Sequence, residues 1–397
     1  MRKLSRRDFM QRSAAAAAGC AVPLKNKEIV IQDAEKPRVK RYKPFGKTGH
    51  MVGDISVGAN QRDAALIRYQ FDCGINLIDS AYEYPGHEEM IGTIIPEMRK
   101  KIFVVSKWDP PLVTSTVTKK ELLDALDITL GRLKTTYVDC MMIHAMGSPE
   151  FGGMERIQNP AIYEAWDEAK RLGKIRFTGA SSHGPRMLEE MDWGIENGRF
   201  DVILCGANFL THGLEPLLQK ARAKGVATMA MKTMTLFKSD VSTQVKGLVD
   251  KGTNIRQAVL KYVLTSDLFD TVVITMNTFQ KVEEYLAVSG VTRLSRADAK
   301  TLEVARNAIF TEYCRPGCDG CLGTCPKDVP IANIFRYKMY FKNYGYEKYA
   351  MSKYRCLPDS KNGIACSDCS APCETHCRFN ILIREKLLAA HKLLTFV

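Results

Sequence analysis

The fold of this chain is decided by three short runs, Ile75-Asn76-Leu77-Ile78-Asp79, Ile102-Phe103-Val104-Val105-Ser106-Lys107 and Met141-Met142-Ile143-His144. Each run has the length and the apolar content of a buried strand, and each ends on a polar side chain. The stretch Thr118–Leu133 lies between the second run and the third and carries apolar residues at helical spacing. This alternation predicts parallel strands that are joined by helices.

The same alternation continues through the middle of the chain. Helical stretches follow at Ala161–Leu172 and Leu214–Lys224, and a hairpin over residues 41–52 precedes the first strand. Eight β-α units over about 250 residues predict a (β/α)8 TIM barrel of the α/β class. An open doubly wound sheet is the alternative, but no Gly-x-Gly-x-x-Gly run follows the first strand. The predicted strands are Ile55–Gly58, Asn76–Asp79, Ile102–Lys107, Asp139–His144, Phe177–Ser181, Val202–Gly206, Ala227–Lys232 and Thr271–Thr275.

The net charge of +13 is concentrated at the two ends of the 397-residue chain. Residues 1–50 carry +9, residues 51–313 carry −2 and residues 314–397 carry +6. A near-neutral middle does not have the basic groove that nucleic-acid binding needs, so we expect no nucleic-acid partner. No apolar run reaches the roughly 18 residues of a membrane-spanning helix.

Residues 1–22 have the order of a secretory signal, in which a charged segment precedes a short apolar one. Ser5-Arg6-Arg7-Asp8-Phe9-Met10 resembles the twin-arginine export signal, which predicts a periplasmic or cell-surface protein. Ala17-Ala18-Gly19-Cys20 resembles a lipobox, and a lipid anchor at Cys20 would be the only contact with a membrane. An alanine-rich helix is the alternative for this segment. Residues 23–40 have the composition of a linker.

Polar side chains close consecutive predicted strands. Asp79, Lys107 and His144 end strands two, three and four, and Tyr84 follows strand two by five residues. Catalytic groups of such barrels lie at the carboxyl ends of strands about 5 Å apart, so these four side chains can converge. A lysine ammonium beside a tyrosine favours the phenolate, and an aspartate holds the lysine in place. Taken singly, a helix-capping aspartate or a core histidine is the alternative.

The longer motifs around these residues are Ile78-Asp79-Ser80-Ala81-Tyr82-Glu83-Tyr84, Val105-Ser106-Lys107, Met142-Ile143-His144 and the run over residues 173–181. With them, residues 41–310 resemble the aldo-keto reductases, a (β/α)8 family that reduces carbonyls with NAD(P)H. The resemblance implies that Asp79, Tyr84, Lys107 and His144 form the family's catalytic tetrad. Tyr84 would protonate the carbonyl oxygen of a small carbonyl substrate, or act in reverse on an alcohol.

The same resemblance implies a set of cofactor-binding residues. Ser181 stands where the family binds the nicotinamide amide, and Asn208 stands where the family has an asparagine. Lys281 and Glu284 would hold the adenosine end. The pattern departs at Ser182, where the family has asparagine, so a preference for NADP is not indicated. A barrel whose cofactor pocket has drifted is the alternative.

Nine of the 13 cysteines lie at or after residue 314, mostly in two tight runs with gaps of two or three residues. Thiolates at this spacing can surround a metal centre, and Cys325-Pro326 is typical of bacterial ferredoxins. A disulfide framework and a four-thiolate zinc site are the alternatives. The predicted ligands are Cys314, Cys318, Cys321, Cys325, Cys366, Cys369, Cys373 and Cys377.

Residues 311–397 therefore resemble a small α-helical ferredoxin-like domain with two [4Fe–4S] clusters. In two-cluster ferredoxins the last cysteine of each run binds the other cluster. By that resemblance Cys377 would join the first three cysteines of the first run, and Cys325 the first three of the second. In the helical stretch Ile331–Phe341 we expect three of the aromatic residues to pack between helices, and we expect Cys356 to be a buried thiol. Those aromatic residues are Tyr337, Tyr340 and Phe341.

The whole chain resembles the iron-sulfur-containing aldo-keto reductases. This predicts an oxidoreductase whose clusters relay electrons to or from an electron-transfer protein partner. The alternative is a non-catalytic barrel that serves as an exported electron-transfer or binding module with a disulfide-bonded tail. Substrate choice would depend on the loops at Ala145–Asn159, expected to form a lid, and Lys232–Gly247.

Overall fold

The chain is described by a computed structural model over residues 37–58, 61, 63–109, 112–146, 154–235, 254–309 and 311–395. The predicted export signal, the lipobox and most of the linker lie outside the described residues. The same holds for the centres of the two loops expected to control substrate choice. Residues 37–397 form one compact unit.

Eight parallel strands close into a barrel in the sequence order of the chain, with the last strand paired to the first. Every predicted strand is present, although its ends shift by one or a few residues. The closed ring confirms the (β/α)8 barrel and excludes the open sheet. The barrel strands are β3 (Ile55–Val57), β4 (Leu77–Asp79), β5 (Phe103–Trp108), β6 (Val138–Met146), β7 (Ile175–Ser182), β8 (Val202–Gly206), β9 (Ala227–Met231) and β10 (Thr271–Ile274).

The predicted hairpin consists of β1 (Tyr42–Pro44) and β2 (Met51–Gly53), which pair in antiparallel register. Phe45, directly after β1, is completely buried among the inward-facing side chains of the barrel. Its ring meets the ring of Phe103 edge to face, with centroids 5.2 Å apart. The hairpin therefore packs on the barrel interior through Phe45 and Val52.

Amphipathic helices surround the barrel and bury their apolar faces against the strands. The helix after β5 begins at a capping box, in which Thr118 and Glu121 satisfy each other's backbone N–H groups. The described helices are α1 (Ala64–Asp72), α2 (His87–Ile91), α3 (Ile95–Met98), α4 (Lys119–Leu133), α5 (Met154–Ile157), α6 (Pro160–Arg171), α7 (Met187–Glu196), α8 (Glu215–Ala223), α9 (Ile255–Leu264), α10 (Phe279–Leu286), α11 (Arg296–Ile309), α12 (Ile331–Tyr344), α13 (Glu347–Arg355), α14 (Pro372–Thr375) and α15 (Ile383–Leu394).

The tail, residues 311–395, builds its own small apolar core between α12, α13 and α15. Ile334, Tyr354 and Leu387 lie at its centre with at most 1% of their surface exposed. The first cysteine run lies between α11 and α12, and the second lies between α13 and α15. Within the described part of the chain, no helix combines the length and the apolar character that a bilayer crossing requires.

A buried carboxyl group lies close to the carboxyl end of β6. Glu190 on α7 and Arg156 on α5 are each 1% exposed. The Arg156 guanidinium donates a hydrogen bond of 2.8 Å to the backbone carbonyl of His144. Burial raises the pKa of Glu190 to about 7, although the charge of Arg156 opposes that rise. The Arg156 guanidinium thus lies close enough to Glu190 to influence its pKa while it supports the backbone at His144.

We expect Glu190→Gln to change how stability depends on pH. A carboxyl whose pKa is raised on folding binds its proton more tightly in the native state, so the native protein loses stability as pH rises towards 7. Relative to the variant, the loss between pH 4 and 8 is on the order of 3 kcal/mol, because one pKa unit corresponds to about 1.4 kcal/mol. Denaturant unfolding at several pH values measures this. A free-energy difference that does not change with pH would contradict the assignment.

Candidate active site at the carboxyl end of the barrel

Asp79 and Lys107 form a buried ion pair between two neighbouring strands. Lys107 Nζ lies 2.5 Å from Asp79 Oδ1, and the two side chains are 1% and 6% exposed. The ammonium also donates to the backbone carbonyl of Ser80 at 2.6 Å. Parallel pairing aligns Asp79, the last residue of β4, with Val105, so Lys107 lies two residues further along β5 and its ammonium reaches the Asp79 carboxylate. The structure therefore brings these two predicted residues together.

Tyr84 and His144 meet beside this ion pair. The Tyr84 hydroxyl lies 3.3 Å from His144 Nε2, and the two rings are edge to face. Lys107 Nζ is 5.8 Å from the centroid of the Tyr84 ring. All four residues predicted for the catalytic site thus lie in one cluster at the carboxyl ends of β4, β5 and β6.

The expectation that Lys107 favours a Tyr84 phenolate is not met. Burial raises the pKa of Tyr84 well above its ordinary value, and the carboxylates of Asp79 and Glu83 raise it further. The ammonium of Lys107 is paired with Asp79, so the Asp79 carboxylate largely cancels the effect of the lysine charge on Tyr84. Tyr84 therefore keeps its proton at neutral pH and is suited to donate a proton.

A pair of carboxyl groups that the sequence analysis missed lies behind His144. Glu83 Oε1 is 2.9 Å from His144 Nδ1. Burial alone would raise the pKa of Glu83, but His144 outweighs burial and holds that pKa below its ordinary value. Burial and the Glu83 carboxylate together raise the pKa of Asp109, which hydrogen-bonds to Glu83. Glu83 directly precedes Tyr84 in the sequence, and this position beside a predicted catalytic residue is the signal that could have identified it.

The tail covers the mouth of the barrel. Lys232, directly after β9, donates a hydrogen bond of 3.0 Å to the Tyr340 hydroxyl on α12. The hydroxyl groups of Thr235 and Tyr344 form a hydrogen bond of 3.0 Å. Tyr337 is buried in the tail core and Phe341 packs at its edge, as expected. Tyr340 also packs against the tail core, with its ring 5.8 Å from that of Tyr349 on α13, and it contacts the barrel in addition.

Further contacts join the tail to the ends of β7 and β8. Arg336 Nη1 lies 3.2 Å from His183 Nδ1. A Cβ atom placed on Gly206 would lie only 3.0 Å from Pro316, so a larger side chain there would push the first cysteine run away. His183 and Lys232 follow the ends of β7 and β9, and the rule that selected Asp79 would have selected them too.

The four predicted cofactor residues make hydrogen bonds within the chain. Ser181 Oγ accepts from the backbone N–H of Ala145 at 2.9 Å. The Asn208 amide donates to the Tyr313 hydroxyl at 3.3 Å, so the residue before the first cysteine run reaches into the barrel mouth. Lys281 donates to Asn277 at 2.8 Å, and Glu284 accepts from Asn254 at 2.7 Å. These last two lie on α10, the helix that follows β10.

The eight predicted cysteine ligands are free thiols that form two groups. Burial raises the pKa of Cys314, and the other three members of its group raise it further. Burial also raises the pKa of Cys366 to about 11, with smaller contributions from Cys325 and Cys369. The first group is Cys314, Cys318, Cys321 and Cys377, and the second is Cys325, Cys366, Cys369 and Cys373, four residues that line one narrow cavity.

Hydrogen bonds between the two runs follow the same crossed pattern. Arg378, after the last cysteine of the second run, lies 3.2 Å from Asp319 in the first run. Lys327, after the first run, lies 2.6 Å from Asp368 in the second. Within the described residues, no cluster of three or more His, Cys, Asp or Glu side chains is arranged to hold a metal ion.

Cys356 differs from its expectation, since it is exposed. It follows the last residue of α13 and caps that helix, and its Sγ donates to the Ser352 carbonyl at 3.4 Å. Cys356 faces solvent because it follows the last turn of an amphipathic helix. The spacing of Cys356 from the two cysteine runs did not indicate this exposure.

A closed (β/α)8 barrel with a Tyr, His, Lys and Asp cluster at its carboxyl end defines the class of protein. The model of the Aldo/keto reductase family matches residues 52–307. The chain therefore belongs to the aldo/keto reductase family and is an oxidoreductase. Members of this family generally use NAD(P)H.

Individual relatives agree with this assignment. An uncharacterized oxidoreductase from Bacillus subtilis, YqkF, is 22% identical over 293 residues, which cover 64% of this chain and 90% of that protein. The methylglyoxal reductase YeaE from Escherichia coli is 30% identical over 144 residues, covering 35% of this chain and 46% of that protein. The holo form of the aldo-keto reductase AKR11C1 from Bacillus halodurans has the same fold, with a TM-score of 0.54 at 19% identity, over 68% of this chain and 96% of that one.

We expect Glu83→Ala to lower the rate of carbonyl reduction by up to about 100-fold, because a misplaced catalytic group can cost that much. Without Glu83 the His144 ring loses the partner that orients it. Glu83→Gln should retain most of the activity, because the amide oxygen can still accept from Nδ1–H. Steady-state kinetics of both variants and their pH profiles measure this. Equal losses in the two variants would show that charge matters and orientation does not.

Proposed function

We propose that the chain interconverts a small carbonyl compound and its alcohol, and that iron-sulfur clusters in the tail relay electrons between the barrel and a redox partner protein. The observation that carries the proposal is the convergence of Asp79, Tyr84, Lys107 and His144 under a tail that gathers eight thiols. The coarse activity rests on the family. The finer roles below belong to the proposal.

In this proposal Tyr84 is the general acid. Its raised pKa keeps the hydroxyl protonated, so it can donate to a carbonyl oxygen that enters beside His144. A proton on His144 Nδ1, facing Glu83, leaves Nε2 to accept from the Tyr84 hydroxyl. The Asp79–Lys107 pair fixes the floor of the site beneath Tyr84.

NAD(P)H is the expected hydride donor of such a site, and when bound it supplies a hydride to the carbonyl carbon. Lys281 and Glu284 lie on α10, where the adenosine end would bind. Asn208, assigned to the nicotinamide end, is held by the Tyr313 hydroxyl. A nicotinamide that bound to Asn208 would have to displace the Tyr313 hydroxyl. The hydride donor is therefore identified by the assay described below.

We expect Tyr84→Phe to lower carbonyl reduction by about 100-fold or more, the contribution of a positioned general acid. Tyr262→Phe, at an exposed tyrosine, is the matched control and should keep full activity. The assay uses a panel of small aldehydes with NADH, NADPH or reduced methyl viologen as donor, in the absence of oxygen. If the native protein reduces the panel and Tyr84→Phe is equally active, the proposed role of Tyr84 is wrong. If no aldehyde is reduced with any donor, the non-catalytic barrel is the better description.

The cluster proposal rests on the crossed grouping of the cysteines. Each iron of a [4Fe–4S] cluster takes one cysteine, so the four sulfurs stand further apart than the ligands of a single ion. The first group, together with Cys325 of the second, borders a cavity of about 310 Å³. Backbone N–H groups of Val329 and Ala371 point to Cys325 Sγ and Cys369 Sγ at 3.4 Å, as thiolate ligands require. The residues present therefore fit two clusters.

Reduction of a carbonyl to an alcohol takes two electrons and two protons, and a cluster of this kind passes one electron at a time. The two clusters would together supply the electron pair when the partner protein is the donor, and a nicotinamide hydride, which carries both electrons, would take their place when NAD(P)H is the donor. The first cysteine group lies nearer the barrel, because the Cys314 run packs on Gly206 and joins Asn208 through Tyr313. The second group would exchange electrons with the partner. Export by the twin-arginine signal, with an anchor at Cys20, is part of the same proposal.

We expect about eight irons per chain after anaerobic purification, with visible absorbance that bleaches on reduction. Cys314→Ala and Cys377→Ala should remove the same electron paramagnetic resonance signal, and Cys325→Ala and Cys369→Ala the other. Cys356→Ala is the matched control, because this thiol is exposed and lies outside both groups. If separate variants of Cys366, Cys369 and Cys377 all lost the same electron paramagnetic resonance signal, the crossed assignment would be wrong. Absence of iron with oxidised thiols would favour the disulfide-bonded tail.

A further inference from the structure

Asp109 is an acidic side chain that reaches the proposed catalytic residues through Glu83. It directly follows β5 and stands two residues after Lys107, so alternation along the strand directs both side chains to the inner side of the barrel. Trp108, between them, points outwards to the helices, where its ring lies 5.8 Å from that of Trp166. The Asp109 side chain therefore lies at the carboxyl end of the barrel, where it meets Glu83.

The contact between Asp109 and Glu83 requires a proton. An ionised carboxyl group only accepts hydrogen bonds, so two carboxylates have no donor between them and repel each other. The two side chains nevertheless form a hydrogen bond. One of the two is therefore protonated in the folded protein, and the pair carries a single negative charge.

The surroundings of the pair place that proton on Asp109. Glu83 Oε1 lies 2.9 Å from His144 Nδ1, a contact that favours the carboxylate form of Glu83. In the part of the chain that the structure describes, no N–H or O–H group donates to the buried Asp109 Oδ1, so a full charge there would be poorly solvated. Titration agrees with this placement. His144 outweighs burial and lowers the pKa of Glu83 to about 2, whereas burial and the Glu83 carboxylate raise the pKa of Asp109 to about 7.

Two other elements bring charged or titratable groups to the pair. Arg156 on α5 and Lys353 on α13 of the tail lower the pKa of Asp109, although burial and Glu83 have the larger effects. Lys353 also lowers the pKa of Glu83. Tyr349 on α13 faces Glu83, and burial together with that carboxylate raises the pKa of Tyr349. Asp109 therefore titrates near neutral pH with both of these cations already present.

We propose that Asp109 is a positioning residue of the active site, whose protonated carboxyl donates to Glu83 and so holds the carboxylate that orients His144 towards Tyr84. The proposal rests on the proposed function, in which His144 accepts from the Tyr84 hydroxyl. Asp109 acts through Glu83 and His144 and not on the substrate. Loss of its proton would leave two carboxylates side by side, and their repulsion would move Glu83 away from the histidine ring.

The pH dependence of carbonyl reduction tests this role. A carboxyl whose pKa is about 7 is mostly protonated at pH 6 and about one tenth protonated at pH 8, so the native kcat should fall about tenfold between these values. Asp109→Asn should abolish that fall, because its amide donates to Glu83 at both pH values. Asp109→Ala cannot donate and should lower kcat about tenfold or more already at pH 6. Asp72→Asn, at an exposed position at the end of α1, is the matched control and should keep the native profile.

The pH profiles also separate Asp109 from other groups. Glu190 titrates in the same range, and a fall that it caused would remain in Asp109→Asn. A native kcat that does not fall between pH 6 and 8, or an equal fall in Asp109→Asn and the native protein, would overturn the proposal while the carbonyl activity stands.

Infrared spectroscopy locates the proton without turnover. Full-length protein with isotope-labelled aspartate carboxyl groups should show the C=O stretch of a protonated aspartic acid at pH 6 that is lost by pH 8, and the label excludes Glu190. The band should be absent in Asp109→Asn and present in Asp72→Asn. If no labelled band depends on Asp109, the proposal is wrong. If the band behaves as expected but no aldehyde is reduced with any donor, the proposed function fails and the protonated Asp109–Glu83 pair stands.

Discussion

The buried ion pair between Lys107 and Asp79 is the interaction on which the site depends. Two charges removed from water cost several kcal/mol each unless they meet in good geometry and their remaining hydrogen-bonding groups are satisfied. The parallel pairing of β4 and β5 provides that geometry, and the Ser80 carbonyl accepts a further hydrogen bond from the ammonium. The pair therefore cannot move independently of the barrel, and Tyr84 is held above a rigid floor.

Because Asp79 neutralises the lysine, the behaviour of Tyr84 depends on burial. The tail increases that burial, since α12 brings Tyr340 to the barrel mouth. The same covering engages Asn208 through Tyr313 and Lys232 through Tyr340. The four-residue cluster around Tyr84 and the cysteine-rich tail thus share one interface. A barrel without the tail would expose Tyr84 to water, which would weaken both the shift in its pKa and the electrostatic effect of its neighbours.

Local signals were sufficient for the barrel and for the residues that end its strands. Alternation of apolar runs with helical stretches depends on neighbouring residues, and Asp79, Lys107 and His144 were found because each closes such a run. Contacts between distant segments gave no such signal. Lys232 and Tyr340 are 108 residues apart, and nothing in either segment shows that they meet. The direction of the Tyr84 pKa was wrong for the same reason, because burial depends on the whole fold.

The cysteines show how far spacing alone can reach. Tight gaps predicted that each run wraps a centre, and the crossed exchange of the last cysteines came only from resemblance to ferredoxins. In the structure, the bonds from Arg378 to Asp319 and from Lys327 to Asp368 join the runs in that crossed sense. Both contacts lie within the tail and join largely exposed side chains, so each stabilises the approach of the two runs only slightly. The contact that joins the first run to the barrel is the hydrogen bond from Asn208 to the hydroxyl of Tyr313, the residue before Cys314.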